Sequence, residues 1–153
     1  MDIIAYTDGS ALGNPGKGGY GVVLISGPHR KEISQGFKLT TNNRMELLAV
    51  IVALESLKIA GSNIIIYSDS RYVVDSILKK WVFTWEKKNF AGKKNEDLWK
   101  RFLQIYPKHN VKIQWIKAHV GIKENERCDR LAVEAANSNN LLNDVFYENN
   151  SEY

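Results

Sequence analysis

A chain of 153 residues, 44% hydrophobic and 25% charged, has the size and composition of one globular domain with a real core. Its single cysteine excludes an intrachain disulfide and fits a reducing compartment. Met1-Asp2-Ile3 lacks the basic and apolar regions of a signal peptide, and the longest apolar run, Leu47 to Leu54, is too short to cross a bilayer, so a cytoplasmic location is expected.

Ile3 to Thr7 is short, apolar and β-prone, and Asp8-Gly9-Ser10 ends it. A Gly/Pro-rich turn from Gly13 to Gly19 follows. Tyr20 to Ile25 and roughly Lys31 to Leu39 read as two more strands, which completes an antiparallel meander. Thr41 or Asn42 caps a long helix running to about Ala60, apolar on nearly every side and therefore expected to be mostly buried. Gly61 stops it. Asn63 to Tyr67 is a β-branched buried strand, and a helix begins near Ser70. Asn95-Glu96-Asp97 opens a helix that ends before Pro107. Val111 to Ile116 is the last strand, and Asn125 to Ala136 the last helix. The order implies an α/β fold with a mixed sheet flanked by helices. The Asn-rich tail carries Asp144, Glu148 and Glu152 with no basic residue, so residues 138–153 are expected to be loosely held.

The net charge of +4 is unevenly spread: between Lys79 and Arg101, eight basic residues oppose three acidic ones. Such a patch suits a polyanionic partner, or is simply a solvated lysine face. Gly16 to Gly21 spells a dinucleotide fingerprint, but Val22-Val23-Leu24-Ile25 follows as strand where that motif needs a helix. Gly16-Lys17 lacks the Ser or Thr of a phosphate-binding Walker loop. One cysteine and the scattered His29, His109 and His119 make no zinc set. Cys128 reads as a small buried helix residue rather than a nucleophile.

Four acids stand out. Asp8 and Asp69 each follow a strand, and if those strands pair in parallel the two carboxylates meet at one end of the sheet, where α/β sheets bind ligands. Glu46 sits in the most apolar helix, with Ala49, Val50 and Ala53 on its side, where an unpaired carboxylate costs several kcal/mol, roughly. Asp129 lies over Ala132, Val133 and Ala136. Each has a plainer explanation: a turn pair at Asp8-Gly9, an N-cap at Asp69, and helix N-terminal acids at Glu46 and Asp129. Together they require four coincidences. Clustered carboxylates repel unless cations sit among them, and oxygen ligands suit magnesium, two of which can drive phosphodiester cleavage.

Tyr6-Thr7-Asp8-Gly9-Ser10, Gly13-Asn14-Pro15-Gly16, Thr41-Asn42-Asn43-Arg44-Met45-Glu46, Ser68-Asp69-Ser70 and Glu124-Asn125-Glu126-Arg127-Cys128-Asp129 resemble, in order and spacing, the motifs of the type 1 ribonuclease H family in its compact bacterial form. The likeness spans about residues 2 to 136. It implies a ribonuclease H-like fold with a five-stranded mixed sheet, three strands antiparallel and then two parallel. Residues 1–137 would be the catalytic domain, with a basic protrusion at about 79–101. It implies a metal-dependent endonuclease cutting the RNA strand of RNA–DNA hybrids to 5′-phosphate and 3′-hydroxyl ends. Asp8, Glu46, Asp69 and Asp129 would hold two Mg2+ ions, with Mn2+ a substitute. His119 resembles the family's mobile loop histidine, which assists proton transfer or product release. Asn14, Asn42 and Asn43 resemble residues that contact the duplex minor groove, where the 2′-hydroxyl distinguishes RNA. Thr41 resembles part of a DNA phosphate pocket. Trp81 and Trp85, spaced i, i+4 on one helix face, with Lys87, Lys88, Lys93 and Lys94, resemble the protrusion that holds the DNA strand. Packing of one helix on another is the other use for these tryptophans, Trp81 above all. Arg71 stands where relatives often carry glutamine and can add a phosphate contact.

The resemblance implies a monomer without an obligate protein partner, and no membrane association is expected. A non-catalytic hybrid-binding module on the same fold is the alternative, but it would have no need of all four acids. A proofreading exonuclease would carry two acids in its first motif, where Asp8-Gly9-Ser10 has one.

Overall fold

The computed structural model describes residues 2–117 and 122–150. Strands β1 (Ile3–Leu12), β2 (Gly16–Ser26) and β3 (His29–Thr40) form the antiparallel meander, followed by helix α1 (Asn42–Glu55) and strand β4 (Asn63–Ser68). Helices α2 (Arg71–Leu78), α3 (Trp81–Lys87) and α4 (Glu96–Ile105) lead to β5 (Asn110–Trp115), α5 (Lys123–Ala136), a two-residue β6 (Leu141–Leu142) and α6 (Val145–Asn149). The sheet order is β5-β4-β1-β2-β3-β6. β4 runs parallel to both β1 and β5. The expected mixed α/β sheet is present, with a sixth strand added beside β3. Among the described residues no helix is long and apolar enough to cross a membrane.

Strand alternation sorts side chains between two layers. Val22 and Leu24 of β2 join the large core with α1, while Val23 between them packs with Cys128 and Leu131 of α5. Most of α1 is buried, including Met45, Leu47, Leu48, Val50, Ile51 and Leu54, because it lies between the sheet and α4. Burying each such side chain contributes about 1.5–3 kcal/mol.

Two boundaries differ from the sequence reading. Helix α1 ends at Glu55, short of Ala60. The apolar pattern continues through Leu57, but the Ser56 hydroxyl donates to the Ala53 carbonyl at 2.8 Å and the Leu57 amide to Leu54 at 3.3 Å. These i→i−3 bonds tighten the last turn and end the helix. Strand β1 runs to Leu12, past the Asp8-Gly9 that was read as its end, because Ser10 and Ala11 keep pairing with Gly19 and Gly18 of β2.

The tail expected to be loose is anchored to the body at several points between residues 141 and 147. Leu141 and Leu142 pair with Gly36 and Phe37, and Asp144 is buried against Arg44. Asp144 is thus an ion-pair partner for a buried guanidinium, although composition makes it look like solvated tail charge.

Candidate metal centre and nucleic-acid interface

The parallel ladder between β1 and β4 ends at Thr7 and Ser68. Asp8 and Asp69 are the next residues on each strand path, so the register brings the two carboxylates together at the carboxyl end of the parallel ladder. Glu46 comes from α1, which meets β1 at Gly9. A Cβ at Gly9 would collide with the Glu46 amide nitrogen and the Met45 carbonyl carbon. One carboxylate oxygen from each of Asp8, Glu46 and Asp69 lies within 4.8 Å of the others. Asp129 lines the same open cleft, with Gly9, Asn42, Asn43 and Arg71. It stands apart from the tight group of three found among the described residues. Helix α5 approaches β2 closely because glycines leave room: a Cβ at Gly19 would stand 2.5 Å from the Ala132 carbonyl oxygen.

The plainer explanations for these acids fail one by one. Asp8 lies within a strand. The cap of α2 is Ser70, whose hydroxyl accepts from the Val73 amide at 3.2 Å, so Asp69 caps nothing. Helix α1 has no acid in its first turn, and the first-turn acids of α5 are Glu124 and Glu126. Glu46 and Asp129 therefore sit beyond the reach of the helix-terminus effect.

Electrostatics make the group unstable by itself. Asp8 is 5% exposed. Burial first, and then the Asp69 charge, push its carboxyl up to about 7. Burial and the charges of Asp8 and Asp69 push Glu46 well above the usual carboxylate range. Asp8 accepts one bond, from the Gly9 amide at 2.9 Å. Glu46 can share a hydrogen bond with Asp8 or Asp69 only while one of the two partners holds a proton. Glu46 Oε1 and Asp69 Oδ1 are buried and find no hydrogen-bond donor among the described residues. Orphaned oxygens on two of three mutually repelling carboxylates fit a hard divalent cation. His119, expected to assist, lies outside the described residues.

Around the cleft, Asn14, Asn42 and Thr41 interlock. Asn14 Oδ1 accepts from the Asn42 amide at 3.2 Å, and Asn42 Oδ1 from the Ala11 amide at 2.6 Å. Thr41 caps α1 by accepting from the Arg44 amide. Asn43 borders both the acidic cleft and a second, polar pocket. Arg71 lies over the Trp115 ring at 3.7 Å, and the Trp115 indole donates to the Asp69 carbonyl at 3.1 Å. That stack fixes a guanidinium beside the cleft.

The tryptophans divide differently from the sequence reading. Trp81, taken as the better candidate for packing, is 44% exposed. Trp85 packs edge-on against the buried Trp99 at 6.0 Å, with Lys93 Nζ 5.2 Å from its ring. Lys87, Lys88, Lys93 and Lys94 are all exposed. Two residues that the sequence does not flag, Asn95 and Tyr147, border the polar pocket beside Thr41. No local pattern marks either, because they reach it from distant parts of the chain. Cys128 is buried, its thiol donates to the Tyr6 carbonyl, and burial pushes its pKa far up, which rules out a nucleophile.

A mixed sheet with two acids at the end of its central parallel ladder, a third acid from the crossing helix and a basic segment defines a ribonuclease H-like protein. A family model for RNase H matches residues 1–137. The chain is 51% identical over 152 residues to a ribonuclease H of Rippkaea orientalis, covering 96% of this chain and 93% of that one. The crystal structure of LC9-RNase H1, a type 1 RNase H with the type 2 active-site motif, superposes with a TM-score of 0.79 at 32% identity, covering 89% of this chain and 72% of that one. LC11-RNase H1 in complex with RNA/DNA hybrid superposes with a TM-score of 0.64 at 28% identity, covering 88% and 96%. The chain belongs to the ribonuclease H family, whose members are metal-dependent endoribonucleases.

Proposed function

We propose that this protein cuts the RNA strand of RNA–DNA hybrids internally, leaving 5′-phosphate and 3′-hydroxyl ends. The observation that carries the reading is the trio Asp8, Glu46 and Asp69, with two buried oxygens that lack donors. Two Mg2+ ions, for which Mn2+ can substitute, would supply an activated water and charge stabilisation at the leaving oxygen. Asp8, Glu46, Asp69 and Asp129 are the residues that would hold them.

The remaining residues bind and orient. Asn14, Asn42 and Asn43 present amides to the minor groove, where a 2′-hydroxyl can both donate and accept. Arg71 lines the cleft and Thr41 the polar pocket beside it, each suited to a backbone phosphate. Trp81, Trp85 and the lysines Lys87, Lys88, Lys93 and Lys94 offer charge and ring faces to the DNA strand. His119 would carry a proton near neutral pH. The protein acts as a monomer in the cytoplasm.

Asp8→Asn and Asp69→Asn separate binding from chemistry. Each is expected to abolish cleavage while leaving the fold and hybrid affinity in place. Cleavage surviving in either variant would refute the metal assignment.

A further inference from the structure

Beside the acidic cleft lies a second, polar pocket of about 310 Å³, bordered by Asn14, Thr41, Asn43, Lys94, Asn95 and Tyr147. Four separate parts of the chain meet there: the β1–β2 turn, the start of α1, the segment entering α4, and the C-terminal helix α6. Among the described residues no acid borders it, and Lys94 brings a positive charge. Asn14 uses its side-chain oxygen on the Asn42 amide and Thr41 its hydroxyl oxygen on the Arg44 amide. The Asn14 NH2 and the Thr41 O–H proton are left to donate. A cation and free donors, with no carboxylate among the described lining residues, make the chemistry of an anion site.

Tyr147 is the unexpected member. Its ring is buried, 5% exposed, yet among the described residues no hydrogen bond of its hydroxyl is found, nor is that oxygen among the sealed and unsatisfied ones. A buried tyrosine ring whose hydroxyl reaches open space on a polar pocket presents that hydroxyl to a ligand.

What holds Tyr147 there is an ion-pair cluster that a loose tail would not need. Arg44, 2% exposed at its side chain, donates to Asp144 at 2.7 and 2.8 Å and to Asp97 at 2.8 and 2.7 Å. Its guanidinium also meets the rings of Phe146 at 5.7 Å and Tyr147 at 5.9 Å. Asp144 further accepts from the Thr40 hydroxyl at 2.8 Å. Both carboxylates are engaged behind the pocket wall, and α6 is fastened to the start of α1 and of α4.

We infer that the C-terminal helix is part of the nucleic-acid site: Tyr147 completes the polar pocket and donates its hydroxyl to a backbone phosphate of the bound duplex. Asn43 borders this pocket and the acidic cleft alike, so a phosphate held here would set where the duplex lies across the carboxylates. The inference rests on the hybrid-binding reading given above.

The test measures equilibrium binding of a fluorescent RNA–DNA hybrid in chelator, where no cutting can intervene. Each linkage of either strand is replaced in turn by an uncharged methylphosphonate. The native chain should lose about tenfold in affinity at one linkage. Tyr147→Phe, which keeps the ring, should keep its melting temperature, bind the unmodified hybrid several-fold more weakly, and lose clearly less at that linkage. Native affinity in Tyr147→Phe, or the same penalty in both proteins at every linkage, would overturn the role of Tyr147 and leave the hybrid reading standing. A native chain that binds no hybrid would overturn both.

Discussion

Gly9 and Glu46 are in backbone contact: a Cβ on residue 9 would overlap the amide nitrogen of residue 46. This approach sets the height of α1 over β1 and delivers the Glu46 carboxylate to Asp8. Gly9→Ala must push helix and strand apart. Overpacking of this kind costs about 1–3 kcal/mol, and a displaced carboxylate should also weaken metal binding. Urea unfolding and metal titration of the variant check both effects. Native values in both would mean that the contact does not position Glu46.

Metal-free stability should depend on pH in a direction opposite to most acids. The Asp8 carboxyl is raised from 3.8 to about 7 by burial and the Asp69 charge, and Glu46 is raised as well. Between those values the folded protein binds more protons than the unfolded chain, so stability falls as pH rises through the window and levels off above it. The melting temperature in chelator should therefore drop from about pH 5 to pH 8, and Asp8→Asn should flatten the drop. Added magnesium at pH 8 should restore stability and release protons. A melting temperature in chelator that rises over that range would contradict the clustering.

Two of the ion-pair groups among the described residues should differ sharply in worth. Asp144 is buried against Arg44, so Asp144→Ala takes one of two carboxylates from a buried guanidinium, leaves buried donors unsatisfied and should cost about 1–3 kcal/mol. Glu32 pairs with Arg30 and Arg127 near the surface, and those bonds lower its carboxyl to about 2. Solvent screening leaves such pairs little net effect, so Glu32→Ala should barely move the melting midpoint. Denaturant titration of the two variants compares them directly.

Much of this site was legible in the sequence because its acids sit in conflict with their surroundings. Glu46 stands in an apolar helix, and Asp8 and Asp69 follow β-branched strands; a parallel pairing then suffices to unite them. The tail was not legible. Arg44 and Asp144 are 100 residues apart, and nothing near either one announces the other. The roles of Trp81 and Trp85 were equally hidden, since an i, i+4 spacing puts both on one helix side without saying which end meets the core.

Those tryptophans give a separable pair of effects. Trp85→Ala removes packing on Trp99 and should cost about 2–4 kcal/mol. Trp81→Ala should leave stability within about 0.5 kcal/mol and weaken hybrid binding. Comparing melting curves with binding isotherms separates the two, and a destabilised Trp81→Ala would return it to the core.

The most direct measurement uses a blunt RNA–DNA hybrid labelled on either strand, incubated with the protein with and without magnesium. Internal cuts confined to the RNA strand, abolished by chelator and lost in Asp69→Asn, are the predicted result. Intact RNA in the presence of metal, with the hybrid still bound, would contradict the account and make this a binding module that carries an idle carboxylate cluster.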